Sequence, residues 1–366
     1  MSKLRELYDK LYIQTEVWLL ARYGTRTNRK WSKTVPMNPR VEREYNTTVR
    51  AYWRQFRVRT PKKFWFRLLC SGHAPFSPKH IPDDLWRQYI IPHYNNLIFA
   101  KAWQDKCMDN VLFPDVRRPE SLVKNIAGVF YDDELHLLTR QEAIARCKNA
   151  GRILVKPSVG SGGGDNIRFY DSDSLSDRDV EDIFDRYGSN YLVQKKMGQH
   201  ETLEAMNPRS LNTIRLITFL HENQVHILTA FLRVGAGASE VDNTSQGGYK
   251  CNVTPDGRLM EYAVTKTHGR WEYVSVHPSG TRFADVVIPS WDRVTETVRT
   301  QAARMAHFKI IGWDIAVSPD GDPTLIEFNI IPAPGYCTDG PLFGDLTDQV
   351  LEEVFGRRKH SRPIRP

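Results

Sequence analysis

Residues 310–329, IIGWDIAVSPDGDPTLIEFN, decide the fold, because they predict a β-hairpin that carries three metal-ligand side chains. Two apolar runs flank Asp320 and Gly321, a pair typical of tight hairpin turns. Pairing that is symmetrical about this turn places Asp314 directly opposite Glu327, on the face that also carries Asn329. Opposed carboxylates repel each other, and a divalent cation would remove that repulsion. These oxygen ligands suit Mg²⁺, with phosphate oxygens completing its octahedron.

The same hairpin has a second interpretation, in which it is an exposed edge with solvated acids. The residues that alternate with the acids on the first strand are Ile311, Trp313 and Ile315, and this apolar face indicates burial. Pro323 is able to shift the register, because proline cannot donate a ladder hydrogen bond.

A second chemical segment is residues 156–164, KPSVGSGGG, in which Lys156 ends a short apolar strand. Its glycine-rich part consists of Ser161, Gly162, Gly163 and Gly164. Glycine lets backbone N–H groups approach phosphate oxygens closely, and the lysine adds a fixed positive charge. The order differs from Walker A, where the lysine follows the glycines, and from the Rossmann pattern, which has no strand-ending lysine. The segment predicts a phosphate site, with a plain surface loop as the alternative.

A third feature is Arg215 inside the predicted strand 211–220, on the same face as Thr213. An arginine within a strand is either an exposed edge residue or a buried anion clamp. The residues alone leave these two interpretations equal.

The remaining pattern predicts a protein of mixed helices and strands, α/β or α+β. With 366 residues and 40% hydrophobic composition, the chain is long enough for more than one lobe. Residues 2–23 predict an amphipathic helix. The other predicted elements are a helix opened by Thr139 and ended by Gly151, a strand at 153–156, a helix from Ser174 to about Gly188, a strand at 191–194, hairpins 211–220 with 225–233 and 250–253 with 259–264, and a helix from Ser290 to about His307.

The charge is concentrated at the N-terminus. Residues 1–70 hold 17 of the 51 Lys and Arg but only five of the 43 Asp and Glu, which leaves 34 basic and 38 acidic residues in the remainder. A balance of +12 favours contact with nucleic acid, an anionic membrane surface or an acidic polymer, and a solvated basic face is an equal alternative. Five scattered cysteines, no long apolar run and no signal-peptide pattern at the start predict a cytoplasmic protein.

Together the three features resemble the ATP-grasp superfamily, in which carboxylate–amine ligases such as D-alanine–D-alanine ligase place Glu-x-Asn 13 positions after a metal-binding acid. Asp314 and Glu327 have the same spacing. The resemblance implies ATP and Mg²⁺ as cofactors, with Mg²⁺ on Asp314, Glu327 and Asn329. It also implies three sets of nucleotide contacts. The phosphate site would consist of Lys106, Lys156, Ser161, Gly162, Gly163 and Gly164, and the adenine site of Gln194, Lys196 and Met197. Glu201 would contact the ribose, with His200 as the alternative.

A closer resemblance is to the sugar-transfer-associated ATP-grasp subgroup, over roughly residues 60–345. The segments that show this resemblance are residues 76–96, 208–215, 241–248, 312–316 and 325–329. It implies an α+β ATP-grasp fold, with two α/β lobes whose antiparallel sheets clasp ATP, plus a basic helical N-terminal extension. The implied division is a basic, largely helical extension at 1–75, a linker subdomain at 76–150, a nucleotide-binding subdomain at 151–210, a catalytic subdomain at 211–350 and a basic tail at 351–366.

The resemblance further implies an ADP-forming ligase that activates a carboxylate as an acyl phosphate and joins it to an amine, on a sugar acid, amino acid or peptide. Arg215, Lys156, Asp242 and Asn243 are the implied catalytic residues, and His268 is a candidate base. A link to polysaccharide biosynthesis follows from the subgroup alone. A kinase with the same nucleotide site remains an alternative, as does a nucleic-acid-binding module, which the acidic remainder disfavours. Gly312 is a departure, because D-alanine–D-alanine ligase has an arginine at this position.

Overall fold

The computed structural model describes residues 2–160, 166–237, 240, 242, 247–267, 270–335 and 340–357, and of residues 2–6 and 10 only the backbone. Two antiparallel sheets and a set of mostly short helices make up this part of the chain, so the α+β class is confirmed. Within the described ranges, no helix has both the length and the apolar character needed to cross a bilayer.

The helices concentrate in the first third of the chain. They are α1 (Ser2–Ser32), α2 (Pro39–Glu44), α3 (Arg50–Trp53), α4 (Lys63–Leu69), α5 (Asp83–Leu85), α6 (Ile91–Tyr94), α7 (Leu97–Trp103), α8 (Asp109–Leu112), α9 (Arg140–Arg146), α10 (Asp177–Tyr187), α11 (Glu201–Glu204), α12 (Trp291–Arg304) and α13 (Thr347–Phe355). Short π-helical segments, Tyr45–Val49 and Trp86–Ile90, continue α2 and α5.

The first sheet has six strands in the order β3-β2-β1-β6-β4-β5. Its strands are β1 (Ser121–Ile126), β2 (Val129–Tyr131), β3 (Leu137–Leu138), β4 (Arg152–Pro157), β5 (Arg168–Asp171) and β6 (Tyr191–Lys195). Helices α9 and α10 pack on it through a small apolar core of its own, which includes Ile144, Val155 and Phe184. This lobe presents Lys156 and Gln194 from the neighbouring strands β4 and β6.

The second sheet has seven strands in the order β11-β10-β9-β8-β7-β12-β13. Its strands are β7 (Thr213–His221), β8 (Gln224–Val234), β9 (Tyr249–Val253), β10 (Leu259–Thr267), β11 (Arg270–Val274), β12 (Ile310–Val317) and β13 (Pro323–Asn329). Each neighbouring pair is antiparallel, and Glu222 and Asn223 adopt the positive φ angles that a tight β7–β8 turn requires.

The helical N-terminal region shares one hydrophobic core with the second sheet. Trp53, Trp65 and Trp86 are fully buried in the same cluster as Trp313 and Val350. Polar contacts support this packing, since Trp86 Nε1 donates to the carbonyl of Pro332 at 2.7 Å. The N-terminal region is therefore built into the second lobe.

Most predicted elements are present, with changes at their ends. The capping box of Thr139 and Glu142 is confirmed. Its helix ends at Arg146, however, and Gly151 instead takes a positive φ just before β4. The helix predicted from Ser174 begins after Ser176, because Ser176 makes the reciprocal capping bonds with Asp179. The first predicted helix runs nine residues further, to Ser32.

Candidate active site

The predicted metal-binding hairpin is formed by β12 and β13, and its register brings the three predicted ligands to one face. Asp314 lies opposite Glu327, and Gly312 lies opposite Asn329. The symmetrical pairing is therefore confirmed at these positions. The hairpin lies at the edge of its sheet, with β13 as the last strand. β12 is nevertheless buried along its whole length, so the interpretation with solvated acids is wrong for Asp314.

A β-bulge maintains this register. Near the turn the strands pair one residue out from the symmetrical prediction, because Ile315 lies opposite Leu325. The extra residue is Ile326, which separates Leu325 from Glu327 and restores the predicted pairing at Asp314. Without it, Glu327 would occupy the other face of the sheet.

Asp314 is held by two arginines from adjacent strands. Arg215 on β7 donates from both Nε and Nη2, with 2.7 Å between Nη2 and Oδ2, and Arg233 on β8 approaches Oδ1 to 2.7 Å through Nη2. Burial raises the pKa of Asp314, but the two guanidinium groups outweigh burial and hold this pKa below its usual value. Arg215 is therefore a largely buried clamp on a carboxylate, and the interpretation as an exposed edge residue is wrong.

Asp242 lies at the other side of the Arg233 guanidinium. Its carboxylate accepts the backbone N–H of Thr213 at 3.1 Å as well as the Thr213 hydroxyl, and it lies 3.7 Å from Arg233 Nε. Burial raises the pKa of Asp242, while Arg233 and Thr213 lower it only in part. The site thus contains a buried row of carboxylate, guanidinium and carboxylate, with Arg215 beyond Asp314.

Two lysines from the other side of the cleft approach the same hairpin. Lys106 Nζ lies 3.2 Å from Glu327 Oε1, and the backbone N–H of Lys106 donates to the carbonyl of Ser158, just beyond Lys156. Burial lowers the pKa of Lys156 and Lys106 lowers it further, while Glu327 and Asp109 raise it. Lys106, Lys156 and the face that carries the predicted metal ligands therefore form one site for an anion.

Asp109 is a carboxylate of this cleft that the sequence interpretation missed. It is buried at the start of α8, and its Oδ1 has no hydrogen-bond partner among the described residues. Burial raises the pKa of Asp109 to about 7, against the lowering effect of Lys156 and Lys106. The sequence feature that could have indicated Asp109 is its position three residues after Lys106, which is about one helical turn away.

The sequence interpretation also missed Arg233, because the simplest strand pairing points its side chain away from the site. Symmetrical pairing about Glu222 and Asn223 places Arg233 on the face opposite to Thr213. A bulge at Leu228 shifts the pairing, so that Thr213 lies directly opposite Arg233. One inserted residue therefore turns this arginine into the site.

The residues of the two lobes enclose two adjoining cavities. The larger has a volume of about 140 Å³ and is lined by Gln104, Lys106, Asp109, Gly160, Glu327, Phe328 and Asn329. The smaller is lined by residues that include Lys106, Asp109, Lys124, Lys156, Gln194 and Ile326. Lys106 and Asp109 border both cavities, and the smaller cavity brings the predicted phosphate lysines Lys106 and Lys156 together with the predicted adenine residue Gln194.

The other predicted nucleotide residues have contacts of their own. The Lys196 backbone N–H donates to the carbonyl of Arg152, so it is engaged within the sheet. Met197 and Glu201 border neither of these cavities, and they stay predictions. His200 caps α11 by accepting the Thr202 N–H through Nδ1, which is a structural role. The phosphate-loop residues Ser161, Gly162, Gly163 and Gly164, with Asn243 and His268, lie outside the described residues.

Gly312 occupies the position where the resembled ligases have an arginine, and packing explains the glycine. A Cβ on Gly312 would lie 2.8 Å from Pro332 Cβ and 3.7 Å from Arg215 Cδ. The segment after β13 thus folds back over Gly312 beside Arg215. In this chain the positive charge next to Asp314 comes from β7 and β8 instead of β12.

The donor set fits Mg²⁺ bound together with phosphate. Asp314 and Glu327 are hard oxygen donors on one face, and Asn329 adds an amide oxygen. Asn329 Nδ2 is buried without a hydrogen-bond partner among the described residues. A phosphate oxygen could accept from this nitrogen while the amide oxygen faces a cation. In this structure Asp314 pairs with Arg215 and Arg233, and Glu327 pairs with Lys106, so both carboxylates lie next to cations.

Comparison with known proteins finds a matching family model and similar solved structures. A family model described as sugar-transfer associated ATP-grasp matches residues 86–337. A structure of the ATP-grasp ligase PsnB, complexed with a phosphomimetic variant of minimal precursor, Mg and ADP, has 14% identity and a TM-score of 0.38, and the match covers 71% of this chain and 61% of that one. D-alanyl-alanine synthetase A from Vibrio cholerae has 11% identity and a TM-score of 0.40, with coverage of 69% and 63%. The chain thus spans less than two thirds of either protein. A search of curated proteins finds no match.

Proposed function

The chain belongs to the sugar-transfer-associated ATP-grasp family, and from that premise we propose that it is an ADP-forming ligase that joins a carboxylate to an amine. The observation that carries the proposal is one face of β12 and β13 that presents Asp314, Glu327 and Asn329 toward Lys106 from the other side of the cleft. Metal-bound phosphate between two lobes is the arrangement that phosphoryl transfer requires.

In the proposed reaction, Lys106 and Lys156 would bind the phosphates of ATP, and Gln194, which lines the same small cavity, would meet the adenine. Asp314, Glu327 and Asn329 would hold Mg²⁺, which supplies charge neutralisation at the β and γ oxygens when bound. The acceptor carboxylate attacks the γ-phosphorus, and the bond to the β–γ bridging oxygen breaks. The products of this step are an acyl phosphate and ADP.

Arg215 and Arg233 are the groups placed to bind the acceptor. Both are cations on the site face of β7 and β8, and both hold a carboxylate in this structure, that of Asp314. In the proposed reaction the two guanidinium groups would donate to the acceptor carboxylate and then to the acyl phosphate. The amine attacks the acyl carbon, phosphate leaves with the electron pair of the C–O bond, and the amine loses a proton to form the amide.

The test is ADP release measured with and without Mg²⁺ in the parent and in Glu327→Gln. We expect the variant to lose Mg²⁺-dependent ADP release while its unfolding midpoint remains near that of the parent. Glu296→Gln, on the exposed side of α12, is the matched control and should retain activity. Full activity in Glu327→Gln would show that the metal site lies elsewhere.

A second arm of the same assay separates the ligase from a kinase. Candidate amino acids, uronates and peptides are supplied singly and in pairs, and products are identified by mass spectrometry. A ligase releases inorganic phosphate and forms an amide only when both a carboxylate and an amine are present. A phosphorylated product that is stable without an amine would refute the amide-forming proposal.

A further inference from the structure

The N-terminal helix α1 carries an unusually apolar exposed face. Only a few of its described side chains are buried, among them Val17 and Ala21, which face the body of the protein. The other side exposes large apolar residues in two neighbouring rows, because they recur at helical intervals. These residues are Leu7, Leu11 and Trp18 in one row and Tyr8, Tyr12, Leu19 and Tyr23 in the other.

The exposed area is as large as the largest apolar patch of a typical monomer. Tyr8 is 68% exposed and Tyr23 is 74% exposed, while Tyr12 and Trp18 are each nearly half exposed. These four aromatic side chains alone leave on the order of 450 Å² accessible, and the leucines add to it. The largest apolar patch of a typical monomer is about 300–600 Å² in total and is often functional.

The charge on the same face is positive and lies toward the C-terminal end of the helix. Arg22, Arg26, Arg29 and Lys30 are all exposed, and Lys33 follows directly after the helix. The acidic side chains described on α1, Asp9 and Glu16, are only partly exposed, and Glu16 lies 3.8 Å from Lys101. The apolar half of this face therefore continues into a basic half with no exposed acid among the described side chains.

We propose that α1 docks this apolar and basic face onto an anionic phospholipid bilayer, with the helix lying in the interfacial plane. The composition fits this partner, because tyrosine and tryptophan have an apolar body and a polar tip that suit the headgroup boundary. Arginine and lysine bind acidic headgroups and keep their charge in water while their stems cover apolar surface. A single convex helix face also matches a flat, deformable partner.

Partitioning of the full chain into vesicles tests the proposal by co-sedimentation. Phosphatidylcholine vesicles are compared with phosphatidylcholine–phosphatidylglycerol vesicles at low and high salt. We expect binding to the anionic vesicles that weakens with salt. Leu11→Ser with Leu19→Ser should weaken partitioning about tenfold or more, and Arg22→Gln with Arg26→Gln should weaken it by a similar factor at low salt only.

The matched control removes exposed apolar groups far along the chain from α1. Leu137→Ser with Val129→Ser changes two exposed side chains on β2 and β3 and should leave partitioning unchanged. Absence of binding to anionic vesicles, or equal binding by the Leu11 and Leu19 variant, would overturn the proposal. So would sedimentation showing that the parent self-associates and that this variant is monomeric, because the face would then belong to a second copy of the chain. Circular dichroism checks that each variant is folded.

Discussion

Replacing Arg233 by methionine tests the charge arrangement of the site most directly. Methionine keeps an unbranched apolar stem but removes the guanidinium that lies 2.7 Å from Asp314 and 3.7 Å from Asp242. It also removes two hydrogen bonds to the Thr213 hydroxyl, at 3.1 and 2.9 Å. Asp314 retains Arg215, whereas among the described residues Asp242 retains only its bonds from Thr213.

The expected loss is large because Asp242 is a buried charge that would have lost its cation. Two unit charges about 4 Å apart interact by roughly 4 kcal/mol at an effective dielectric constant of about 20. Removing one partner of a buried pair typically costs about 3–5 kcal/mol. We therefore expect the free energy of unfolding at neutral pH to fall by about 3–5 kcal/mol.

The loss should depend on pH, with a sign that follows from Asp242. Burial already raises the pKa of this carboxyl, and Arg233 is the main group that lowers it. Without Arg233, the folded-state pKa rises further above the unfolded value of about 4. An acid with a raised folded-state pKa binds more protons when folded, so the variant loses stability as pH rises above that unfolded value. The difference in unfolding free energy between parent and variant should thus be smaller near pH 5 than near pH 8.

Urea unfolding of parent and variant at these pH values measures both quantities. Arg293→Met is the matched control, because Arg293 pairs with Asp322 at the surface and such exposed pairs contribute only about 0–1 kcal/mol. A deficit for Arg233→Met no larger than that of the control, or one that does not change with pH, would refute the buried acid–guanidinium–acid arrangement.

Three further changes follow from the structure. Gly312→Ala should cost about 1–3 kcal/mol in urea unfolding, because its Cβ would lie 2.8 Å from Pro332 Cβ; an unchanged midpoint would contradict the close packing. Lys106→Met should weaken ADP affinity about tenfold or more in calorimetric titration, since a charge-assisted phosphate contact is lost, and unchanged affinity would remove Lys106 from the site. Burial lowers the pKa of His80, so the fold loses stability as pH falls below the unfolded pKa of about 6.5. The melting temperature of His80→Gln should therefore decline less between neutral and acidic pH than that of the parent. An equal decline in both proteins would assign the acid sensitivity to other groups.

The sequence predicted those features that short-range chemistry determines. Capping by Thr139, the turns at Asp320 and Gly321 and at Glu222 and Asn223, and the pairing of Asp314 with Glu327 all follow from residue types and spacing. The ATP-grasp fold could be predicted from the sequence because several such motifs occur in a characteristic order.

The features that the sequence left hidden depend on single inserted residues and on distant packing. Bulges at Leu228 and Ile326 shift strand pairing by one, and neither residue differs from its neighbours in any pattern visible along the chain. The glycine at 312 became understandable only when Pro332 was seen to cover it. The second clamp on Asp314 required both the bulge and the assembled sheet, so no local rule predicted Arg233.

The shared core of the N-terminal region and the second lobe has a consequence for biosynthesis. Tyr52 donates to Asp348, and Phe56 forms a β-bridge with Arg357, so residues near position 50 need partners that are synthesised much later, near position 350. At translation rates of about 5–20 residues per second, the buried tryptophans of this region wait many seconds for their partners. Until the residues near position 350 have been synthesised, this apolar surface stays exposed to water and to chaperones. A chain interrupted near residue 340 would therefore leave the region around Trp53 and Phe56 without its packing partners, so that quality control would find a defect about 300 residues before the break.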